Sequence, residues 1–193
     1  MKLQLAIVVA SVIMGGALTL NYAFTDSSDS SNVLKSTAGM MGHVTLTATD
    51  EDGNVIAYRQ LDNTVVNQAD VCIMENLTGQ SLGGCTSPTA AYSVVQIGTA
   101  TATFTETSTG LGAFHRQTGG SWGSNISSTT QAGTSATLTA NFIDVNAAIG
   151  EAALINSATS ASADRLALQQ FSAISLGAND DLTVQWTITV DGS

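Results

Sequence analysis

The chain has 193 residues, enough for one domain with a hydrophobic core. Only 10% of the residues are charged, and 15 acidic residues outnumber five basic ones, giving a formal net charge of −10. This balance argues against nucleic-acid binding, which needs a basic patch, and disfavours anionic membrane surfaces as partners. The low charge predicts a surface made polar by Ser, Thr, Asn, Gln and Gly, which is typical of extracellular β-proteins.

The N-terminus has the pattern of an export signal. Met1 and Lys2 precede an apolar run from Leu3 to Leu20, and a polar stretch begins at Thr25. One positive charge, an apolar core and a polar exit make up a secretory signal, although a run of this length approaches the ~20 residues that span a membrane. Residues 1–24 are therefore predicted to be a cleaved signal peptide or a retained helix in a membrane or filament core. In both cases the rest of the chain lies outside the cell.

Residues 25–41 have the composition of a linker and are interpreted as a polar tether. Ser and Asp dominate the first half, and two apolar pairs follow, Val33–Leu34 and Met40–Met41. Such a segment could add as a strand to a sheet edge of a neighbouring subunit, or it could be a spacer that lifts the domain off a membrane. The domain after the tether is predicted to span residues 42–193.

The rest of the chain has the pattern of β-strands. Residues 44–49 alternate apolar side chains with threonine, an acidic turn follows at 50–54, and residues 55–61 complete a hairpin. Further strands are predicted within the segments 92–104 (one or two strands), 112–117, 135–143, 148–155, 165–176 and 182–190.

Three segments depart from this alternation. Residues 67–77 predict a short helix, and residues 165–171 could be helical instead of extended. Loops are predicted at 79–88 and 119–134, where Gly, Ser and Thr are frequent.

The last strand has the most regular alternation. Leu182, Val184, Trp186, Ile188 and Val190 face one way, and polar residues, mostly threonines, face the other. Trp186 is therefore predicted to be a core residue of a central or near-central strand. About eight strands with short turns predict an all-β fold: an immunoglobulin-like or jelly-roll β-sandwich preceded by an N-terminal hydrophobic helix.

Cys72 and Cys85 are the two cysteines, and they are too few for a zinc site. In an exported chain, two cysteines this close in sequence are expected to form a disulfide. Two buried free thiols are the alternative.

The sequence offers little for catalysis. A hydrolytic site needs a base beside a nucleophile, and neither His43 nor His115 lies in a catalytic motif. Four acidic residues are candidates for paired-carboxylate chemistry, but their spacing selects no pair: Glu106, Asp144, Glu151 and Asp164. Glu151 interrupts an apolar stretch, so it must face solvent or find a partner such as Arg165 or Arg116. We predict no catalytic residues, no cofactor and no enzymatic activity.

The turn at residues 50–54 resembles the start of a calcium loop. Asp50, Asp52 and Asn54 could form a weak cation site, but Gly53 comes too early and Leu61 stands where an EF-hand needs Glu. The alternative is an ordinary acidic hairpin turn. No metal site is predicted from the sequence.

Two N-x-[ST] sequons begin at Asn76 and Asn125, in predicted loop or helix-end positions. Both are possible N-glycosylation sites if the host has the enzymes.

Three stretches, taken together, resemble a known class of domain. They are VTLTATDEDGNVIAYRQLDNTVVN at 44–67, AYSVVQIGT at 91–99, and residues 149–190 with IGEAALIN and RLALQQFSAISLGANDDLTVQWTITV. Their order resembles phage-tail-like or virion-like β-domains, and with a hydrophobic N-terminus it is similar to secreted surface proteins of archaea and their proviruses. Ala153 stands where Gly is usual and Ile155 where Phe is usual. The resemblance implies a structural role on a particle or cell surface and carries no catalytic residues.

The function predicted from the sequence is that of an extracellular structural subunit of a cell-surface layer or pilus-like filament, self-associating through its β-domain. A homo-oligomer is expected, with membrane contact through residues 1–24 if they are uncleaved, and with no nucleic-acid partner. The alternatives are a virion or provirus-encoded surface protein and an adhesin or glycan-binding module. Archaeal pilins are a weaker resemblance, because Lys2-Leu3 lacks the residue pattern that precedes their helix.

Overall fold

A computed structural model of the chain describes residues 38–87, 89–101, 103–115, 123–159 and 163–192. In these residues one helix and ten strands follow each other in this order: β1 (Ala38–Thr49), β2 (Val55–Asp62), β3 (Thr64–Val65), α1 (Asn67–Thr78), β4 (Val94–Gly98), β5 (Ser124–Asn125), β6 (Ser128–Ala132), β7 (Ser135–Phe142), β8 (Ala148–Ile155), β9 (Arg165–Ser175) and β10 (Asp181–Gly192). The predicted N-terminal helix and residues 25–37 of the predicted tether lie outside the described residues.

The first sheet has the strand order β2-β1-β10-β7-β6, and all its pairs are antiparallel. Its central strand, β10, alternates as the sequence predicts, and Trp186 lies opposite Val44 of β1 and Leu138 of β7. Trp186 is 0% exposed, which confirms its prediction as a core residue of a central strand. Its indole Nε1 donates a hydrogen bond to Asn63 Oδ1 over 2.8 Å, so its one polar atom is satisfied.

Tight turns fix the register of the two hairpins in this sheet. Asp50 closes the β1–β2 turn, where its Oδ1 accepts the backbone N–H groups of Asp52 and Asn54 at 3.0 and 2.8 Å. The β6–β7 hairpin turns at Gly133 and Thr134, and Gly133 has φ 60°. Glycine at the first position of a two-residue turn suits a type II′ turn, which matches the twist of the strands.

The second sheet has the order β3-β9-β8-β4-β5 and is covered on both faces. Its inner side chains meet those of the first sheet in the larger core, which includes Leu46, Val184 and Trp186 from one sheet and Ile97, Leu154 and Phe171 from the other. Its outer side chains form a second core around Val94, Ile155 and Leu168, against which Phe104 and Leu111 pack. The two sheets therefore form a β-sandwich, as predicted.

Helix α1 forms where strand alternation is lost, which confirms the predicted short helix. Ala69, Cys72 and Glu75 are its buried residues, and their spacing of three places them on one helix face. Gly79 ends the helix in the left-handed conformation with φ 66°, and its N–H donates to the carbonyl of Glu75. Among the residues that the structure describes, no helix is long and apolar enough to cross a membrane.

Other local predictions differ from the structure. Within its described part, the strand predicted at 112–117 is reduced to a single bridge between Phe114 and Gly98. In the preceding segment, Phe104 and Leu111 pack on the outer side of the second sheet. Part of the loop predicted at 119–134 forms β5 and β6. The β6 side chains are all exposed, so the strand lacks the apolar alternation that would reveal it. The helical alternative for 165–171 is wrong, since these residues lie in β9.

Candidate functional site

The outer face of the first sheet is an array of small polar side chains, here called the hydroxyl face. It consists of outward residues of β1, β10 and β7: Thr45, Thr47, Thr183, Gln185, Thr187, Thr189, Ser135, Thr137, Thr139 and Asn141. These side chains are half-buried or exposed. Pairs across β7 and β10 share hydrogen bonds, with 2.8 Å between Ser135 Oγ and Thr189 Oγ1 and 2.8 Å between Thr137 Oγ1 and Thr187 Oγ1.

The hydroxyl face is uncharged, whereas the chain carries a net charge of −10. One charged pair adjoins the face on the β2 side: His43, in the middle of β1 and opposite Thr187, has its Nδ1 2.9 Å from Oδ1 of Asp62 at the end of β2. Each hydroxyl can make more than one hydrogen bond, so these side chains still have donors and acceptors available to solvent or to a partner. The face can therefore bind a neutral polar partner without burying an unpaired charge.

The four sheet edges differ in how they are protected against pairing with another strand. Edge strand β2 carries Arg59 on its inward side, opposite Leu46, and has a register shift near Thr49. Edge strands β3 and β5 are only two residues long. Inward charges, bulges and short edge strands all block unwanted pairing.

Edge strand β6 has none of these protections. Its sequence is STTQA, its five residues are all exposed, and its pairing with β7 runs without a register shift. It has no charge and no proline. Of the edges in the described part of the chain, β6 is therefore the one suited to accept a further strand.

A groove lies over β7 on the inner side of the first sheet, between β6 and β10. It has a volume of about 250 Å³ and is lined by Gln131 and Gly133 of the hairpin, Ala136 of β7, and Ile188 and Val190 of β10. Val190 is 49% exposed, so the groove is open to solvent at this end of β10. The groove thus combines an apolar floor with a neighbouring free strand edge.

A buried carboxylate, Asp164, joins three separate segments. It is 0% exposed and accepts hydrogen bonds from the backbone N–H groups of Thr86 and Ser87, each over 2.8 Å. The side chains of Asn156 and Gln68 also donate to it, over 2.8 and 3.1 Å. These donors hold the loop after α1, the loop after β8 and the start of α1 together.

The surroundings shift the pKa values of this cluster. Burial tends to raise the pKa of Asp164, but the hydrogen bonds from Thr86, Ser87 and Asn156 outweigh it, and the net pKa is lowered. Burial lowers the pKa of Arg165, and the charge of Asp164 partly offsets this lowering. Burial raises the pKa of Tyr92 to about 12, and the Asp164 charge adds to this.

The Cys72–Cys85 disulfide is formed, with 5.0 Å between the two Cα atoms, which confirms the prediction. It ties α1 to the following loop, and Glu75 holds the same loop by accepting the N–H groups of Leu82 and Gly84. The two sulfurs and an Asp164 oxygen lie within 4.8 Å of one another. The sulfurs are bonded to each other, so they do not provide the thiolates that a metal site needs.

Glu151 is a second fully buried carboxylate, 0% exposed. Its Oε2 accepts the N–H of Gly112 over 2.9 Å, and its Oε1 accepts the N–H of Ala113 over 2.7 Å. The sequence predicts that Glu151 faces solvent or finds a partner such as Arg165 or Arg116. The side chain is buried, its described contacts are with backbone amides, and Arg116 lies outside the described residues. Glu151 therefore anchors the segment that covers the second sheet.

The structure does not bring the other candidate residues together into one described cluster. Glu106 and Asp144 are exposed on loops. The Asp50 carboxylate is occupied by the turn, since it also accepts the Asn54 side chain over 3.1 Å, and the Asn54 hydrogen bonds lower the pKa of Asp50. His115 donates its backbone N–H to the Ile97 carbonyl, which fixes it against β4.

Both sequon asparagines are exposed. Asn76 lies on α1 and Asn125 in β5. Each position is compatible with an attached glycan.

Sequence reasoning did not identify the β6 edge or the donors around Asp164. The STTQA segment has no apolar alternation that would predict a strand, and its ability to pair with another strand depends on its position at the edge of the sheet. The donors to Asp164 include backbone amides far away in sequence, which no residue pattern encodes. Comparison of the chain with protein-family models, curated proteins and solved structures finds no match.

Proposed function

We propose that the protein is an extracellular structural subunit of a cell-surface layer or filament that self-associates through its β-domain, without enzymatic activity. The observation that carries this proposal is the asymmetry of the two sheets. The second sheet is covered on both sides, whereas the first exposes an uncharged hydroxyl face and an unprotected edge strand. Surfaces of this kind suit repeated contacts between copies of a chain.

Two further features support a location outside the cell. The Cys72–Cys85 disulfide is typical of oxidising compartments, and residues 1–24 have the pattern of an export segment. Membrane contact through residues 1–24, glycosylation at Asn76 and Asn125, and an archaeal host are parts of the same proposal. The finer fold type, immunoglobulin-like or jelly-roll, also stays a prediction.

Electron microscopy of the full chain isolated from its native host tests this proposal. Regular filaments or a lattice, labelled by an antibody raised against the β-domain, are the expected result. Virus-like particles that contain the chain would instead favour the virion or provirus alternative to which the sequence resemblance points. A chain that stays monomeric at every concentration up to the millimolar range would contradict a self-associating structural role.

The alternative of an adhesin or glycan-binding module is favoured by one observation. The hydroxyl face is neutral and rich in hydrogen-bonding groups, and Tyr58 is exposed on the neighbouring strand β2. An aromatic ring beside hydroxyl groups suits contact with a sugar. Binding of the monomeric chain to neutral polysaccharides, lost in a Tyr58→Ala, Thr187→Lys double variant, would support this function.

A further inference from the structure

We infer that the β6 edge receives residues 31–37 of a second copy of the chain as an added strand. This inference rests on the proposed self-association and names the surface that carries it. The motivating observation is that β6 is a regular, uncharged, fully exposed edge strand, whereas the β2 edge carries an inward charge and the β3 and β5 edges are short. Gln131 of this strand also forms one wall of the groove of about 250 Å³.

The hairpin geometry shows which backbone groups are free. Ala132 and Ser135 flank the two-residue turn, and residues in that position exchange both hydrogen bonds. Pairing then alternates, so Thr130 bonds to β7, and the N–H and C=O groups of Thr129 and Gln131 point away from the sheet. These two residues offer the hydrogen-bonding ladder that an added strand needs.

Side chains of the added strand supply the second part of the contact. An added strand beside β6 would direct every second side chain toward the inner side of the sheet. There the side chain lies beside Gln131, the β6 residue that lines the groove, whereas Ala136 and Val190 lie one and two strands farther from the edge. Backbone pairing supplies the affinity in strand addition.

The segment that precedes β1 has the required length and composition. Residues 31–37 read SNVLKST, with one charge and no proline or glycine, and they lie outside the described residues. Seven extended residues span about 23 Å, enough to cover a five-residue edge of about 17 Å. In an extended strand Asn32, Leu34 and Ser36 share one side, and Val33 and Lys35 share the other.

Distance favours a second copy over the chain's own segment. Ala38 pairs with Gly192 of β10, so the chain enters the first sheet three strand positions from β6. Three spacings of about 4.8 Å amount to about 14 Å, which takes four to five extended residues. Residues 33–37 would be used up in crossing to the edge of their own sheet, whereas a neighbouring copy has no such constraint. Repeated head-to-tail addition then forms an open chain of subunits.

Hydrogen exchange on the full chain tests the inference directly. The amides of Thr129 and Gln131 are expected to exchange rapidly in dilute monomer and at least about tenfold more slowly in assembled material. Equal exchange in both states would overturn the inference while leaving the proposed function intact. Protection that is independent of concentration would identify the chain's own segment as the occupant and would also overturn it.

Matched variants separate the backbone and side-chain parts. Thr129→Pro removes an outward N–H without breaking a β6–β7 bond, and Thr129→Val keeps it. Leu34→Ser removes the apolar side chain that would pack on Gln131, and Val33→Ser removes its neighbour on the other side of the added strand. Thr129→Pro and Leu34→Ser are each expected to raise the concentration needed for assembly about tenfold or more, and the two control variants are expected to assemble as the wild type does. Circular dichroism establishes that each variant is folded.

The outcomes distinguish the two proposals. Normal assembly of folded Thr129→Pro would overturn the edge-strand inference and leave a structural subunit that associates by another surface. If the wild-type chain does not assemble under any condition, the proposed function fails and the inference fails with it.

Discussion

At the residue scale, Asp164 is the side chain whose loss we expect to disturb the most contacts. Its two oxygens accept from Thr86, Ser87, Asn156 and Gln68. Asp164→Asn keeps the shape but puts an N–H₂ group where an acceptor is needed. We expect a loss of about 2–4 kcal/mol in the free energy of unfolding, because buried backbone donors lose their partner. Urea denaturation measures this, and Asp62→Asn is the exposed control.

The same residue predicts how stability depends on acidity. The folded pKa of Asp164 lies below its ordinary value, so in acid the unfolded state takes up the proton more readily than the folded state. The stability that Asp164 contributes is complete above about pH 5 and is lost as the pH falls through the folded pKa. Asp164→Asn should flatten the dependence of the unfolding midpoint on pH in this acidic range. An unchanged profile would show that other carboxylates cause the acid sensitivity.

Tyr92 is expected to have the opposite pH dependence. Its hydroxyl is buried and has no hydrogen-bond partner among the described residues, and its pKa is raised to about 12. Above about pH 10 the tyrosine ionises in the unfolded state before it does in the folded state, so stability falls as the pH rises through this range. Tyr92→Phe should remove this loss and, at pH 7, be within about 1 kcal/mol of the wild type or more stable. A clear loss of stability at pH 7 would reveal a role for the hydroxyl.

At the element scale, β10 makes the longest strand pairings in the first sheet. It pairs with β1 over twelve residues and with β7 over eight, and Trp186 fills the space between the sheets. Trp186→Ala should cost about 3–5 kcal/mol, from lost burial and from the cavity left behind. Thermal and urea unfolding test this, with Thr187→Ala on the outer face as control. A loss below about 1 kcal/mol would contradict the central position of Trp186.

The disulfide stabilises the junction between α1 and its following loop. Cys72 and Cys85 are 13 residues apart, and closing a loop of this size contributes about 3 kcal/mol. A Cys72→Ala, Cys85→Ala variant should lose up to this amount, and mass spectrometry of the non-reduced protein should find the linked peptides. If both thiols of the native protein react with an alkylating reagent, the disulfide is absent in solution.

Strands with one buried face could be predicted, and strands without one could not. The hairpin at residues 44–61 and the strand at 182–190 alternate clearly because one face packs against the other sheet. The side chains of strand β6 are all exposed, so its sequence has no apolar alternation and resembles that of a loop. The second core, on the outer side of the second sheet, could not be predicted from the sequence either, because Phe104 and Leu111 join it only through tertiary contacts.

For the candidate site, the sequence identified the cysteine pair and the low-charge surface. From the sequence, Glu151 was expected to need a partner if buried, but the partner could not be identified, because distant backbone amides can also donate hydrogen bonds to a buried carboxylate. The partners Gly112 and Ala113 are 39 and 38 residues away. Which groups meet across such a distance depends on the register of the sheets, which composition and spacing do not specify.

At the scale of the whole molecule, negative charge collects at one end of the sandwich. The turn at 50–54 lies beside the 177–180 loop, where Asn179 Nδ2 donates to Glu51 Oε2 over 3.0 Å. Asp180 belongs to the same loop, and Asp181 begins β10. Asp144 is close to them in the fold, since the next residue, Val145, donates its backbone N–H to the Asp180 carbonyl. Like charges this close repel one another, and salt screens them within about 8 Å at physiological ionic strength.

This acidic end predicts that salt stabilises the fold through screening. Raising NaCl from low to about 0.5 M should increase stability by about 1 kcal/mol, which corresponds to about 2–4 °C in Tm for a domain of this size. At matched ionic strength CaCl₂ should give no additional gain, because the turn already occupies the Asp50 oxygens. Asp52→Asn should reduce the NaCl effect, and Asp70→Asn on α1 is the control. A rise in Tm specific to millimolar Ca²⁺ and lost in Asp52→Asn would instead establish a cation site at the β1–β2 turn.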